Sequence, residues 1–89
     1  MRKEEFAPAQ PHISLSSGEV IRMLRELKGW TQEQLAGHSM ITATNISLLE
    51  NDKIDIGKRR AEQLARAFDV HPAIIMFPEY EAAEIKKAA

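Results

Sequence analysis

A chain of 89 residues has room for one small core, and 44% hydrophobic with 28% charged residues is close to the globular average, which excludes multidomain, collagenous and wholly disordered architectures. Twelve basic against thirteen acidic residues give a net charge of −1, which is not the footprint of a protein that coats nucleic acid non-specifically, so any DNA contact has to be local. The absence of cysteine excludes disulfide stapling, thiol catalysis and cysteine-rich zinc sites, leaves dimerisation as one available source of extra stability, and fits a reducing compartment. No apolar run approaches the roughly 18 residues of a spanning helix. The start, Met1-Arg2-Lys3-Glu4-Glu5-Phe6, lacks the apolar stretch of a secretory signal, so a cytoplasmic protein with no membrane partner is expected.

In chain order, residues 1–15, with Pro8 and Pro11 and little apolar periodicity, read as a flexible arm. Ser16-Ser17-Gly18-Glu19 has capping-box spacing and opens a first helix carrying Val20, Leu24 and Leu27, with Ile21 and Met23 beside them, ended by Gly29. Thr31-Gln32-Glu33-Gln34 repeats the box and starts a short second helix with Leu35 and Ala36 as its apolar members. A third helix starts at Thr42, since Ile41, Ile46 and Leu49 share one side of residues 43–50 and Thr44, Asn45, Ser47 and Leu48 lie elsewhere. After the loop 51–57, Ala61, Leu64, Ala65 and Phe68 at i, i+3, i+4 and i+7 mark a fourth helix. Asp69-Val70-His71-Pro72 breaks the chain, Pro72 opens a fifth helix through Phe77, and Pro78 kinks or restarts it into a helical, alanine-rich tail, 78–89. The expectation is an all-α fold of five helices with the domain at 16–77.

Five helices say nothing about function by themselves. Residues 31–53 are more specific. Two capped helices separated by about three residues, with small Ala36 on the first and Ile41, Ile46 and Leu49 on the second, can cross closely at a steep angle. This is helix-turn-helix spacing, in which the second helix enters the roughly 12 Å major groove while the N-terminal end of the first meets the phosphate backbone.

The stretch Trp30-Thr31-Gln32-Glu33-Gln34-Leu35-Ala36, followed by Ile41-Thr42-Ala43-Thr44-Asn45-Ile46-Ser47-Leu48-Leu49-Glu50-Asn51, resembles the phage repressor and Cro family, also called the xenobiotic-response-element family, over about residues 18–77. The resemblance implies a five-helix, lambda-repressor-like DNA-binding domain, a homodimer on a near-palindromic operator in double-stranded DNA, and control of transcription. Carried over, Gln32 contacts a phosphate and often a base. Ala43, Thr44, Ser47 and Leu48 take base-reading positions on the recognition helix that Thr42 opens, while Asn45, Asn51 and Lys53 match positions near phosphates, and Lys58, at the start of the fourth helix, is placed to extend that backbone contact. Arg25 and Glu50 match a buried structural ion pair.

Departures from the pattern carry their own expectations. Met40 stands where the family commonly has glycine, and a left-handed methionine costs roughly 1–2 kcal/mol, so a slightly different turn is expected. Ala43 and Leu48 cannot form the bidentate hydrogen bonds that fix guanine or adenine, so an A·T-leaning site of modest affinity is expected, with Thr44, Ser47 and Asn45 reading directly and thymine methyls packing on Ala43 and Leu48.

The remaining features have plainer readings beside the sharper ones. His12, His38 and His71 lack ligand spacing, and Asp52 and Asp55 read as solvated turn residues, so neither metal, cofactor nor enzymatic activity is expected. Trp30 reads as a hydrophobic staple. Lys58-Arg59-Arg60 is either a solvated helix start or a DNA contact. The run Ile74-Ile75-Met76-Phe77 is either monomer core or a dimer interface in which Ile74, Ile75, Phe77 and, from the tail, Tyr80 and Ile85 take part. Regulation by repression is the leading expectation, and the alternative is an antitoxin that neutralises a toxin and autoregulates its operon, its arm or tail holding the toxin.

Overall fold

The computed structural model of the chain describes residues 15–78. It contains five helices: α1 Ser17–Lys28, α2 Gln32–Ser39, α3 Ala43–Glu50, α4 Lys58–Phe68 and α5 Pro72–Met76. Among the described residues there is no strand, and no helix is long and apolar enough to cross a membrane. The expected arm, apart from Leu15, and the expected tail beyond Pro78, with Tyr80 and Ile85, lie outside the described residues.

One local rule builds all five elements. Each helix is preceded by an apolar residue just before its cap and carries another five positions later, the spacing of a hydrophobic staple: Leu15 and Val20, Trp30 and Leu35, Ile41 and Ile46, Ile56 and Ala61, Val70 and Ile75. All ten belong to or pack against the core, and the second member of every pair is buried. The chain therefore re-enters the core at each helix start, which fixes five entry angles in a domain too small to fix them by bulk burial. Leu15, ahead of the first cap, packs against the core as the first member of this pattern.

Polar caps complete the starts. Ser16 with Glu19 and Thr31 with Gln34 form full capping boxes, the hydroxyl accepting from the third backbone N–H at 3.1 Å in both cases. The Thr42 hydroxyl accepts from the Asn45 N–H, and the His71 Nδ1 accepts from the Ala73 N–H ahead of Pro72. Three helix ends close with paired backbone bonds in the Schellman pattern: after α1 at Gly29, after α3 at Asp52 and after α4 at Asp69.

The turn after α2 departs from expectation. Met40 sits squarely in the left-handed region at φ 64°, and its N–H donates to the Ala36 carbonyl. The turn is thus built as a glycine would build it, and methionine carries the strain because the α2 end requires that conformation. Its side chain, 83% exposed, gains little from packing.

The core joins α1 to α3, α4 and α5, α2 to α3 and α4, and α4 to α5. Ile21, Leu35, Ile46, Leu49, Leu64 and Ile75 are its largest enclosed side chains. Two α1 residues expected on the apolar face lie outside it: Leu27 is 77% exposed and Met23 is also exposed, because Val20, Ile21 and Leu24 already fill the side turned to α3 and α5.

Candidate nucleic-acid interface

The unit expected to meet DNA consists of α2, the connection Met40-Ile41-Thr42, and α3. Ile46 and Leu49 bury one side of α3, with Ile41 beneath its start. This leaves Thr44 exposed and Ala43, Asn45, Ser47 and Leu48 partly exposed. The accessible side bears no charge, since the lone ionisable residue of α3, Glu50, is buried, and the first turn has no acidic group to offset the positive end of the helix. The chemistry it offers is two hydroxyls, one amide and two apolar side chains.

The C-terminal end of α3 is held differently. The Arg25 guanidinium donates from Nε to Glu50 Oε2 at 2.6 Å and from a terminal nitrogen to Oε1 at 3.1 Å, and its other terminal nitrogen donates to the Trp30 carbonyl at 2.9 Å. The two side chains are only 14% and 3% exposed, so the expected buried pair is present and bidentate. The bond to Glu50 raises the Arg25 pKa against the opposing effect of burial. A raised value means that the pair's contribution is complete below the ordinary arginine range and is lost only as pH climbs through the folded pKa, far above the working range.

Just beyond α3, Asp52 does more than a solvated turn residue. Its carboxylate accepts from the Ser16 hydroxyl at 2.7 Å and from the Gly18 N–H at 3.1 Å, tying the end of α3 to the start of α1. Gly18 is what lets them meet: a Cβ there would overlap the Leu49 carbonyl and lie 2.8 Å from that of Glu50 and 2.7 Å from the Asp52 carboxylate. The sequence marks this contact only by the small residue within the first capping box, whose meaning depends on what crosses it.

The other expected contact residues are distributed as follows. Gln32 opens α2 but turns its amide inward, Nε2 donating to Glu50 Oε1 at 3.1 Å. Thr42 is the α3 cap. Asn51 donates from Nδ2 to the Ser47 carbonyl at 2.9 Å and so caps the helix end, while Lys53 closes it through its backbone N–H and leaves its side chain exposed. Lys58 begins α4, where Gly57 offers no side-chain cap and Lys58, Arg59 and Arg60 fill a first turn without any acidic residue, an arrangement that favours a nearby anion. Lys58 also lines a shallow groove with Glu62, Pro72 and Phe77.

Of the expected interface residues, Ile75 is 0% exposed, the stapled residue of α5, and cannot reach a second copy without opening the core. Ile74 is partly buried against that core, and Phe77 is 52% exposed. Trp30 packs on the core as expected, stacked between His38, at 4.1 Å between ring centres, and Phe68, at 6.0 Å. Among the described residues no group of three or more potential ligands could hold a metal ion.

Known proteins give this geometry a context. A family described as helix-turn-helix matches residues 21–75, well over half of the chain. The competence pilus inhibition repressor of Acinetobacter baylyi is 44% identical over 52 residues, which are 58% of this chain and 47% of that protein, so the match spans about half of the relative's length. The crystal structure of a hypothetical transcription factor from Neisseria shares the fold with a TM-score of 0.68 at 24% identity, over 84% of this chain and 94% of the other. With the family match covering the α2 and α3 unit and the helices around it, the chain belongs to the Cro/C1-type helix-turn-helix family.

Proposed function

We propose that the protein is a non-enzymatic, cytoplasmic repressor that binds a near-palindromic operator as a homodimer, with α3 in the major groove. The observation that carries this reading is the division of α3 into a charge-free accessible side and a C-terminal end locked to α1, which sets the pose of the helix without using its reading face. Thr44, Ser47 and Asn45 supply hydrogen bonds to base edges or phosphates, and Ala43 and Leu48 supply apolar contact for thymine methyls. Thr42 accompanies them at the helix start, and Asn51, Lys53 and Lys58 face the backbone. Repression is favoured by the repressor relative. Phe77 and the rim of Ile74 are the dimer contacts that remain once Ile75 is assigned to the core, with Tyr80 outside the described residues. The antitoxin alternative rests on arm and tail segments that also lie outside them.

Selection of bound sequences from a random DNA pool tests the reading. The expected result is an inverted repeat with half-site centres about 34 Å apart, bound at least roughly tenfold more tightly than scrambled DNA. Failure to enrich any motif, with residual binding abolished between about 50 and 200 mM salt, would overturn it and turn attention to a protein partner.

A further inference from the structure

The side chain of Met40 has no packing role. Its backbone holds the left-handed conformation that glycine adopts freely, at φ 64° and ψ 24°, yet the side chain is 83% exposed, so no burial offsets the strain. Ser39 and Ile41 on either side of it are buried, so the turn fastens its flanks and directs Met40 into solvent. Backbone strain that packing leaves unbalanced collects at functional positions.

The chain has no cysteine, and its sulfur chemistry belongs to four methionines. Met1 lies outside the described residues. Of the other three, Met76 packs against the core and Met23 is 43% exposed, which leaves Met40 as the most accessible described thioether. Such a sulfur attacks one oxygen of a hydroperoxide with its lone pair. The S–O bond forms as the O–O bond breaks, and the proton on the attacked oxygen passes to the departing one, which leaves as water or an alcohol. Sulfur is oxidised by two electrons to the sulfoxide and the peroxide is reduced.

The place of Met40 gives this chemistry a consequence. It closes α2 and stands two residues ahead of Thr42, the cap of α3, beside the helix end that leads into the major groove in the reading above. Oxidation replaces an apolar tip by a dipole whose oxygen only accepts hydrogen bonds, as phosphate oxygens do, so the two oppose each other. We infer, on the DNA-binding reading above, that Met40 is an oxidation site through which hydroperoxides weaken the hold of the protein on its operator.

The test treats the full chain with limiting hydrogen peroxide and counts sulfoxide at each methionine by peptide mass mapping. Met40 is expected to convert at least about threefold faster than Met23 and Met76, following exposure. Saturating operator DNA should slow Met40 and leave Met23 unchanged. Oxidised wild type should bind the operator roughly fivefold more weakly than untreated protein, the scale of one opposed polar contact. Met40→Leu and Met40→Gly, each compared with itself before and after the same treatment, should show no such loss, although their other methionines still oxidise.

Faster conversion at Met23 or Met76 would overturn the inference, as would a Met40 that the operator does not protect. So would unchanged affinity of the oxidised wild type, or an equal loss in the two variants. The rate and protection measurements need no variant to fold. A wild type that selects no DNA sequence before any oxidant is added would overturn the regulator reading and this inference together, whereas the other failures overturn this inference alone.

Discussion

The two ends of α3 are built for different tasks. At the C-terminal end, Glu50 is buried with three donors from Arg25 and Gln32, and Asp52 takes two more from Ser16 and Gly18. At the N-terminal end, Thr42 caps the helix and Thr44 stands in solvent. The difference shows that the fold spends its polar interactions on fixing where the helix points and leaves the accessible side free of charge. Sequence preference and stability should therefore respond to different substitutions.

The comparison breaks most severely at Glu50. Glu50→Ala strands the Arg25 charge, and its expected cost is about 3–5 kcal/mol in urea unfolding, because the site is nearly closed to water. Gly18→Ala is expected to cost about 1–3 kcal/mol by the same measurement, since its methyl group meets backbone carbonyls that cannot rotate away. Asp52→Ala removes two hydrogen bonds, one exposed and one partly buried, and should cost about 1 kcal/mol. A smaller change of opposite sign sharpens the contrast. Met40→Gly relieves a left-handed side chain worth roughly 1–2 kcal/mol, partly offset by about 0.5–1 kcal/mol of glycine entropy, so a net gain below about 1 kcal/mol is expected with DNA preference unchanged.

Much of this organisation is legible in the sequence because it is local. The capping boxes at Ser16 and Thr31, the fourth-helix pattern of Ala61, Leu64, Ala65 and Phe68, and the Arg25 and Glu50 match all correspond to the structure. Contacts between distant segments are not. The bonds from Asp52 to Ser16 and Gly18 join residues far apart in sequence, and an aspartate in a polar loop gives no sign of them.

Ile75 carries two sequence signals that point in opposite directions. Judged by its apolar neighbours it suits a surface patch, whereas its spacing from Val70 repeats the staple found at every other helix start and assigns it to the core. Leu27 fails in the opposite direction. Helical periodicity places it beside Val20 and Leu24, but a twelve-residue helix in so small a domain extends past the elements available to cover it.

The separation of pose from reading is tested most directly by a variant carrying Thr44→Ala, Ser47→Ala and Leu48→Ala together. Its melting temperature and its affinities for the selected operator and for scrambled DNA would be compared with those of wild type. A loss of at least roughly tenfold in operator preference, with melting nearly unchanged, is the expected result. Operator preference that survives intact would contradict the assignment of the accessible side of α3 as the reading surface.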